Sequence, residues 1–260
     1  MSFNLPAVPS LAPEAIPALS KHCAPMAGGL FCLWWLLLII FYLFPQIDIS
    51  VTHAFFTLVE CPPQSATGQV CGHFPYQSHG ILRFLRLVLF YLPGSTALFL
   101  ILLLVRAIWL HGAGFWMTKA RALALALMAL VLGPYLLVNI VLKSLSGRPR
   151  PYETDLFAGH LPFAPAGSFS GACHDNCSFV SGEAAGAGWV ACLIPLLPAW
   201  LRPILGPPIM VVSLVTPALR IAFGGHFLSD VTLGWLSSVV IFCLVFACAE
   251  ITRRRIIARD

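Results

Sequence analysis

The sequence predicts an all-α, polytopic membrane protein, a bundle of six transmembrane helices, and three observations carry that prediction. Hydrophobic residues make up 59% of the 260 residues and charged residues only 10%, with a mean hydropathy of +0.88. A soluble domain typically has about 25% charged residues. Apolar runs long enough to cross a bilayer, which takes roughly 17 to 25 residues, recur along the chain. Finally, the prolines, glycines and charges gather between those runs, or at their ends.

In order, residues 1–27 carry Pro6, Pro9, Pro13, Pro17 and Pro25, with Glu14, Lys21 and His22. They hold no apolar core of the length a cleavable signal peptide needs, so an irregular cytoplasmic tail is expected, with the first span as an uncleaved anchor. The spans are placed near 28–45, 85–110, 121–142, 179–198, 206–223 and 228–249. Together, residues 28–250 form one membrane domain, followed by a basic cytoplasmic tail at 251–260. Pro203, Pro207, Pro208 and Pro217 crowd the fifth span. A membrane helix tolerates proline where neighbours re-satisfy the freed backbone groups; a re-entrant segment there would move His226 to the other side.

Six spans leave both termini on one face. That face holds Lys21, Arg106, Lys119, Arg121, Arg202, Arg253, Arg254, Arg255 and Arg259. The other holds Arg83 and Arg86, together with Lys143, Arg148, Arg150 and Arg220. The positive-inside rule makes the first face cytoplasmic. The cysteines agree. Cys61 with Cys71, and Cys173 with Cys177, fall in the two long outward loops and suit disulfides in an oxidising compartment such as a bacterial periplasm. Cys23, Cys32, Cys192, Cys243 and Cys248 lie in or beside spans, where a thiol behaves as a small hydrophobe. The run Cys173-His174-Asp175-Asn176-Cys177 lacks a second ligand pair and reads as a disulfide-closed turn, so no metal site is expected. No nucleic-acid partner is suggested either, because the basic residues are divided between two faces.

Three segments at span ends hold charge that topology leaves unexplained. Lys143 closes the third span, and Gly147, Pro149 and Pro151 break the helix around Arg148 and Arg150. A snorkelling anchor belt would belong on the cytoplasmic side, whereas arginine's planar fork suits bidentate binding of phosphate oxygens. Ser181-Gly182-Glu183 opens the fourth span, where a helix N-terminus offers free amides to an anion. Gly182 and Gly186 also fit a small-residue packing face. At the last span, His226 and Asp230 stand four apart, so the carboxylate can hold one imidazole nitrogen while the other attacks phosphorus. Arg220 supplies a cation from the preceding span.

These residues resemble the type 2 phosphatidic acid phosphatase superfamily, six-span lipid phosphatases that share a helical fold with vanadium haloperoxidases. The resemblance covers roughly residues 85–250. Its first motif, Lys, six residues, Arg-Pro, is matched by Lys143 and Arg150-Pro151. The third, Ser-Arg, five residues, His, three residues, Asp, is matched by Arg220, His226 and Asp230, with Leu219 where serine is usual. The second, Pro-Ser-Gly-His, stands here as Val180-Ser181-Gly182-Glu183. The resemblance implies a phosphohistidine at His226 oriented by Asp230. Lys143, Arg148, Arg150, Ser181, the Gly182 backbone and Arg220 would bind the phosphoryl group, with no metal or other cofactor.

Glu183 occupies the position of the family's proton-donating histidine. To serve as that acid it must be protonated, or else His160 or His174 takes the role. A sugar 1-phosphate leaves as a relatively acidic anomeric oxygen and lessens the need. The expected activity is therefore removal of phosphate from a lipid headgroup, lipid A 1-phosphate first, at the periplasmic face of a bacterial inner membrane. The alternatives are an isoprenyl (undecaprenyl) diphosphate or phosphatidylglycerol phosphate phosphatase, a lipid phosphotransferase, or a non-catalytic phospholipid-binding or transport protein. His73, Phe74, Tyr76 and Tyr152 are candidates for headgroup contact or for an interfacial aromatic belt.

Overall fold

The computed structural model describes residues 15–64, 68–111 and 117–258. It is predominantly helical. Helix α1 spans Ala15–Leu43, α2 Gln46–His53, α3 Gly80–His111 and α4 Met117–Leu130. From α4 the helix continues through a widened π-helical stretch, Val131–Leu142, into α5, Lys143–Ser146. Helices α6 (Gly182–Cys192), α7 (Arg202–Ala222) and α8 (Leu228–Ile257) complete the bundle. The expected irregularity of residues 15–27 is overturned: α1 begins at Ala15 and passes through Pro25, and Cys23 and Ala27 are buried against α8 residues Cys243 and Phe246. The proposed tail at 1–14 lies outside the described residues. At the other end, α8 carries most of the basic tail as helix.

Among the described residues, five helices are long and apolar enough to cross a membrane, namely Cys23–Leu43, Gly80–Trp109, Ala120–Glu153, Arg202–Ala222 and Leu228–Ile256. The run predicted at 179–198 is a shorter apolar segment, Gly182–Leu196. Its regular helix rises roughly 16 Å at 1.5 Å per residue, about half of a hydrocarbon core. Its position explains the length. Every residue from Ala184 to Cys192 is buried, so α6 is a central strut surrounded by protein and need not span lipid with its own apolar surface. The prolines predicted to weaken the fifth span sit inside an unbroken α7. Pro203 occupies the first turn, where an N–H would lack a helical partner anyway.

Small residues bring α6 against α8. A Cβ on Gly188 would lie 2.6 Å from the carbonyl oxygen of Trp235, and one on Gly234 would lie 2.6 Å from that of Ser181. The small-residue packing face expected of this segment is present. Two indoles are satisfied across helices, whereas the buried Trp235 Nε1 has no hydrogen-bond partner among the described residues. Trp189 Nε1 donates to the Ala126 carbonyl at 2.8 Å, and Trp34 Nε1 donates to Ser237 Oγ at 3.0 Å.

The loop after α1 folds back as α2 and a two-stranded antiparallel hairpin, β1 (Thr57–Leu58) with β2 (Gly72–His73), closed by the expected Cys61–Cys71 disulfide. The second expected disulfide, Cys173–Cys177, closes the loop before α6. Phe74 is not a surface residue. It is buried with Phe56, Phe157 and Phe227, whereas His73, Tyr76 and Tyr152 remain exposed.

Replacing Gly234 with alanine drives a methyl group into the Ser181 backbone, which no side-chain motion relieves. Overpacking of this kind costs about 1–3 kcal/mol. The detergent-solubilised variant is expected to unfold several degrees below wild type, and an unchanged Tm would show that α6 and α8 are not held this closely.

Candidate active site

The three charged segments converge at one end of the bundle, and backbone pairing explains how. The Arg148 carbonyl accepts from the Ser178 amide at 2.8 Å and the Gly147 carbonyl from the Cys173 amide at 2.8 Å. This lays the loop before α6 along the segment after α5. The Ser181 amide in turn donates to the Asp230 carbonyl at 3.0 Å, joining the start of α6 to the start of α8.

His226 lies between α7 and α8 with 2% of its surface exposed. Its Nδ1 is 2.9 Å from the Ser178 carbonyl oxygen and 3.3 Å from Ser178 Oγ. A carbonyl accepts only, so Nδ1 carries the proton and Nε2 presents its lone pair. Burial first, then the charges of Arg220, Arg150 and Lys143, hold the imidazole well below its usual range, against the Ser178 carbonyl, which raises it. The imidazole is held toward its neutral form inside a ring of cations.

Asp230 does not grip the imidazole directly as expected. Its Oδ2 is 3.9 Å from Nδ1, beyond hydrogen-bonding distance. That oxygen accepts from Ser178 Oγ at 2.6 Å and from the Phe227 amide at 2.9 Å, so Ser178 stands between carboxylate and ring. The four-residue spacing put Asp230 on the right face, but the carboxylate turns back to cap the first turn of α8.

Arg148 is also reassigned. It was expected among the phosphate ligands, yet it is fully buried and each arm of its guanidinium is committed. Nη1 donates to Asp230 Oδ1 at 2.6 Å and to Ser229 Oγ at 2.8 Å, Nη2 to Asp48 Oδ2 at 2.7 Å, and Nε to the Ala164 carbonyl at 2.8 Å. Its carbon lies 4.3 Å from the centre of the Phe227 ring. Asp48, on α2, further accepts from the Ser229 amide at 2.8 Å. A charge this deep is tolerated because it is paired and saturated.

The remaining cations are available. Lys143 Nζ is 3.1 Å from Asn176 Oδ1. Arg150 donates to the Asn176 carbonyl from Nε and Nη2 at 3.1 and 2.9 Å, and from Nη1 to Tyr152 Oη at 3.2 Å. Arg220 is 5% exposed, lies against Gly225, and its Nε has no hydrogen-bond partner among the described residues. Ser181 caps α6, its Oγ accepting from the Ala184 amide at 3.3 Å. This leaves the Gly182 and Glu183 amides without helical partners, the usual anion-binding end of a helix. The space that glycine frees at Gly182 is taken by Asn139 Oδ1 from the π-helical stretch, so packing rather than close phosphate approach accounts for the missing side chain.

Glu183 is not placed as a proton donor. Its carboxylate receives Arg86 Nη2 at 2.7 Å and Arg86 Nε at 3.3 Å, and Arg220 Nε lies 3.3 Å away. That is an ion-paired acceptor bridging two guanidiniums. His160 and His174, the alternative acids, are exposed, and among the described residues their side chains make no hydrogen bond to the groups around His226. No group of His, Cys, Asp and Glu side chains suited to a metal occurs among the described residues.

Comparison with known proteins fits this constellation. The model of the PAP2 superfamily matches residues 120–254, which contain every cation around His226 except Arg86. The chain belongs to that superfamily. It is 49% identical over 221 residues to the lipid A 4'-phosphatase of Rhizobium etli, covering 85% of this chain and 86% of that protein. It is 30% identical over 220 residues to the lipid A 4'-phosphatase of Francisella tularensis subsp. novicida, covering 82% and 92%. The crystal structure of the transmembrane PAP2-type phosphatidylglycerolphosphate phosphatase of Bacillus subtilis shares the fold, with a TM-score of 0.51, 20% identity, and coverage of 86% and 96%. This PAP2 protein is therefore a multi-pass membrane lipid phosphatase.

Arg86, Asp48, Ser178 and Ser229 were not predicted as site residues. Arg86 had a usable signal, since an arginine at the start of a membrane span is a functional candidate by default; it was assigned to topology instead. Asp48, just past the first span, had the same kind of signal. Ser178 and Ser229 had none.

The two classes of cation separate experimentally. Arg148→Lys cannot reach its four partners and is expected to lower Tm by several degrees, a buried pair losing about 3–5 kcal/mol when broken. Lys143→Gln and Arg150→Gln are expected to keep Tm while losing about 100-fold in kcat/KM. The His226 shift sets a pH dependence. Below pH 6.5 the unfolded chain binds a proton that the native site refuses, so wild type loses stability relative to His226→Asn as pH falls through that window. Above it the two should differ by a constant amount, as thermal melts across pH 5 to 8 would show.

Proposed function

We propose that this phosphatase removes the 4'-phosphate of lipid A through a phosphohistidine at His226, without a metal. The observation that carries the mechanism is the commitment of Nδ1 to the Ser178 carbonyl, which leaves Nε2 as the attacking atom among Lys143, Arg150 and Arg220. Those cations, with the free amides of α6, take the equatorial phosphoryl oxygens. The preference for the 4' position over the 1 position expected from the sequence follows the names of the relatives. The argument for a 1-phosphate rests on Glu183 as a poor acid, and with Glu183 engaged by Arg86 and Arg220 that residue carries no information about the leaving group.

The site would face the periplasm of the inner membrane, with both termini cytoplasmic. The bias of basic residues and the two disulfides on the site's end of the chain support this orientation. A six-span path, counting the short α6 with the five long helices, gives the same sidedness.

Purified protein in detergent with EDTA is expected to release one phosphate from bis-phosphorylated lipid A, leaving a product that retains its 1-phosphate by mass spectrometry. His226→Ala should release none. Quenching wild type during turnover should trap an acid-labile, alkali-stable phosphoprotein, and full activity in His226→Ala would remove the nucleophile assignment. Phosphate lost from the anomeric carbon would return the reading to the 1 position.

A further inference from the structure

Cleavage at a sugar C4' position expels the oxygen of an ordinary secondary alcohol, which leaves poorly unless protonated. The residues around His226 supply few protons. Glu183 is an acceptor between Arg86 and Arg220. The Ser178 hydroxyl proton is committed to Asp230 at 2.6 Å. Ser181 is buried beneath the first turn of α6.

Tyr152 is different. It follows Pro151 in a short 3-10 turn, Pro151–Glu153, whose cap is Arg150. Its backbone amide donates to the Gly224 carbonyl at 3.2 Å, so it is fastened two residues from His226. Its hydroxyl oxygen is 3.2 Å from Arg150 Nη1. A guanidinium only donates, so the phenol oxygen is the acceptor in that bond and its own proton is turned away from Arg150. The side chain is 37% exposed, so it stands at the mouth of the site rather than beneath it.

We propose that Tyr152 is the catalytic proton donor to the leaving oxygen, in the place that the sequence pattern assigned to Glu183. The inference rests on the phosphohistidine reading above. In the first step the Nε2–P bond forms as the P–O bond to the sugar breaks, and the Tyr152 proton passes to the departing oxygen. The tyrosinate so formed is paired with Arg150. In the second step water attacks phosphorus, the N–P bond breaks and returns its electron pair to Nε2, and a water proton restores the phenol. The sum is a phosphate ester and water giving an alcohol and inorganic phosphate.

The test is the dependence on leaving group. Tyr152→Phe keeps the ring and removes the proton. On lipid A its kcat is expected to fall by about 100-fold or more. On p-nitrophenyl phosphate, whose aryloxide departs without a proton, the same variant should retain activity within about 3-fold, and its Tm should match wild type. Equal losses on both substrates would overturn the proposal and leave Tyr152 as a packing or binding residue. A leaving-group-selective loss in Glu183→Gln, absent from Tyr152→Phe, would also overturn it and return the acid to Glu183. The function reading fails separately. If wild type prefers a different lipid phosphate, only the substrate assignment falls, and the comparison with the aryl ester is made on that lipid's alkyl leaving group. If His226→Ala retains activity on both, the phosphohistidine falls and Tyr152 as its acid falls with it.

Discussion

The buried guanidinium of Arg148, held between Asp48 and Asp230, is the interaction on which the rest of the site depends. Three distant parts of the chain meet there: α2, the turn after α5 and the first turn of α8. One cation between two carboxylates is a costly arrangement in a low-dielectric interior unless every lone pair and proton is used. Here Ser229, Ser178, the Phe227 amide and the Ala164 carbonyl complete the bonding. The consequence is positional. With Asp230 fixed by Arg148, Ser178 is fixed by Asp230, and Ser178 fixes the tautomer of His226 through its carbonyl. The His226 ring is thus oriented through a chain of bonds that begins on α2, outside the stretch matched by the PAP2 superfamily model.

The bundle serves this cluster by giving it a dry floor. Helix α6 is short and enclosed from Ala184 onward, and α8, its neighbour, is the most buried of the long apolar helices. The longer helices α1 and α3 face outward with little of their apolar surface covered by protein. Central helices therefore carry small and polar residues near the site, and the outer ones carry bulky aliphatic and aromatic residues that meet lipid. The widened turn beside Pro134 belongs to the same design. Asn139 bonds the Pro134 carbonyl at 2.8 Å and fills the space left by Gly182, so a backbone irregularity in one helix sets the N-terminus of another.

Much of this was legible in the sequence because membrane proteins leave so few charges unexplained. Lys143, Arg150, Arg220 and His226 stand out against apolar runs, and their spacing relative to span ends brings them to one place. The loop disulfides were legible for a similar reason, since each loop holds one close pair. The illegible part is the direction a side chain turns. Arg148 and Arg150 are two residues apart in the same turn, yet one is locked beneath His226 and the other lies open to the site; only the three-dimensional position of Asp48 separates them. Glu183 sat in the acid's place in the pattern, but Arg86, nearly a hundred residues earlier, decides what it does. The irregular tail failed at residues 15–27 because proline density was read without the core that Cys23 and Ala27 join.

Glu183 acquires a physical role once it is seen as an anion in a ring of cations. Arg86, Arg220, Arg150 and Lys143 would repel one another across a site partly shielded from water, where each unit of charge counts for more than at an open surface. A carboxylate between Arg86 and Arg220 holds that ring together while the site is empty. It also leaves Arg220 with an unsatisfied Nε, so the guanidinium is not saturated in the way Arg148 is. On the proposed function, an incoming phosphate dianion would meet a cation that is positioned but incompletely bonded. Interactions that strengthen as charge shifts on the phosphoryl oxygens lower the barrier, whereas a guanidinium already fully engaged would have nothing further to give.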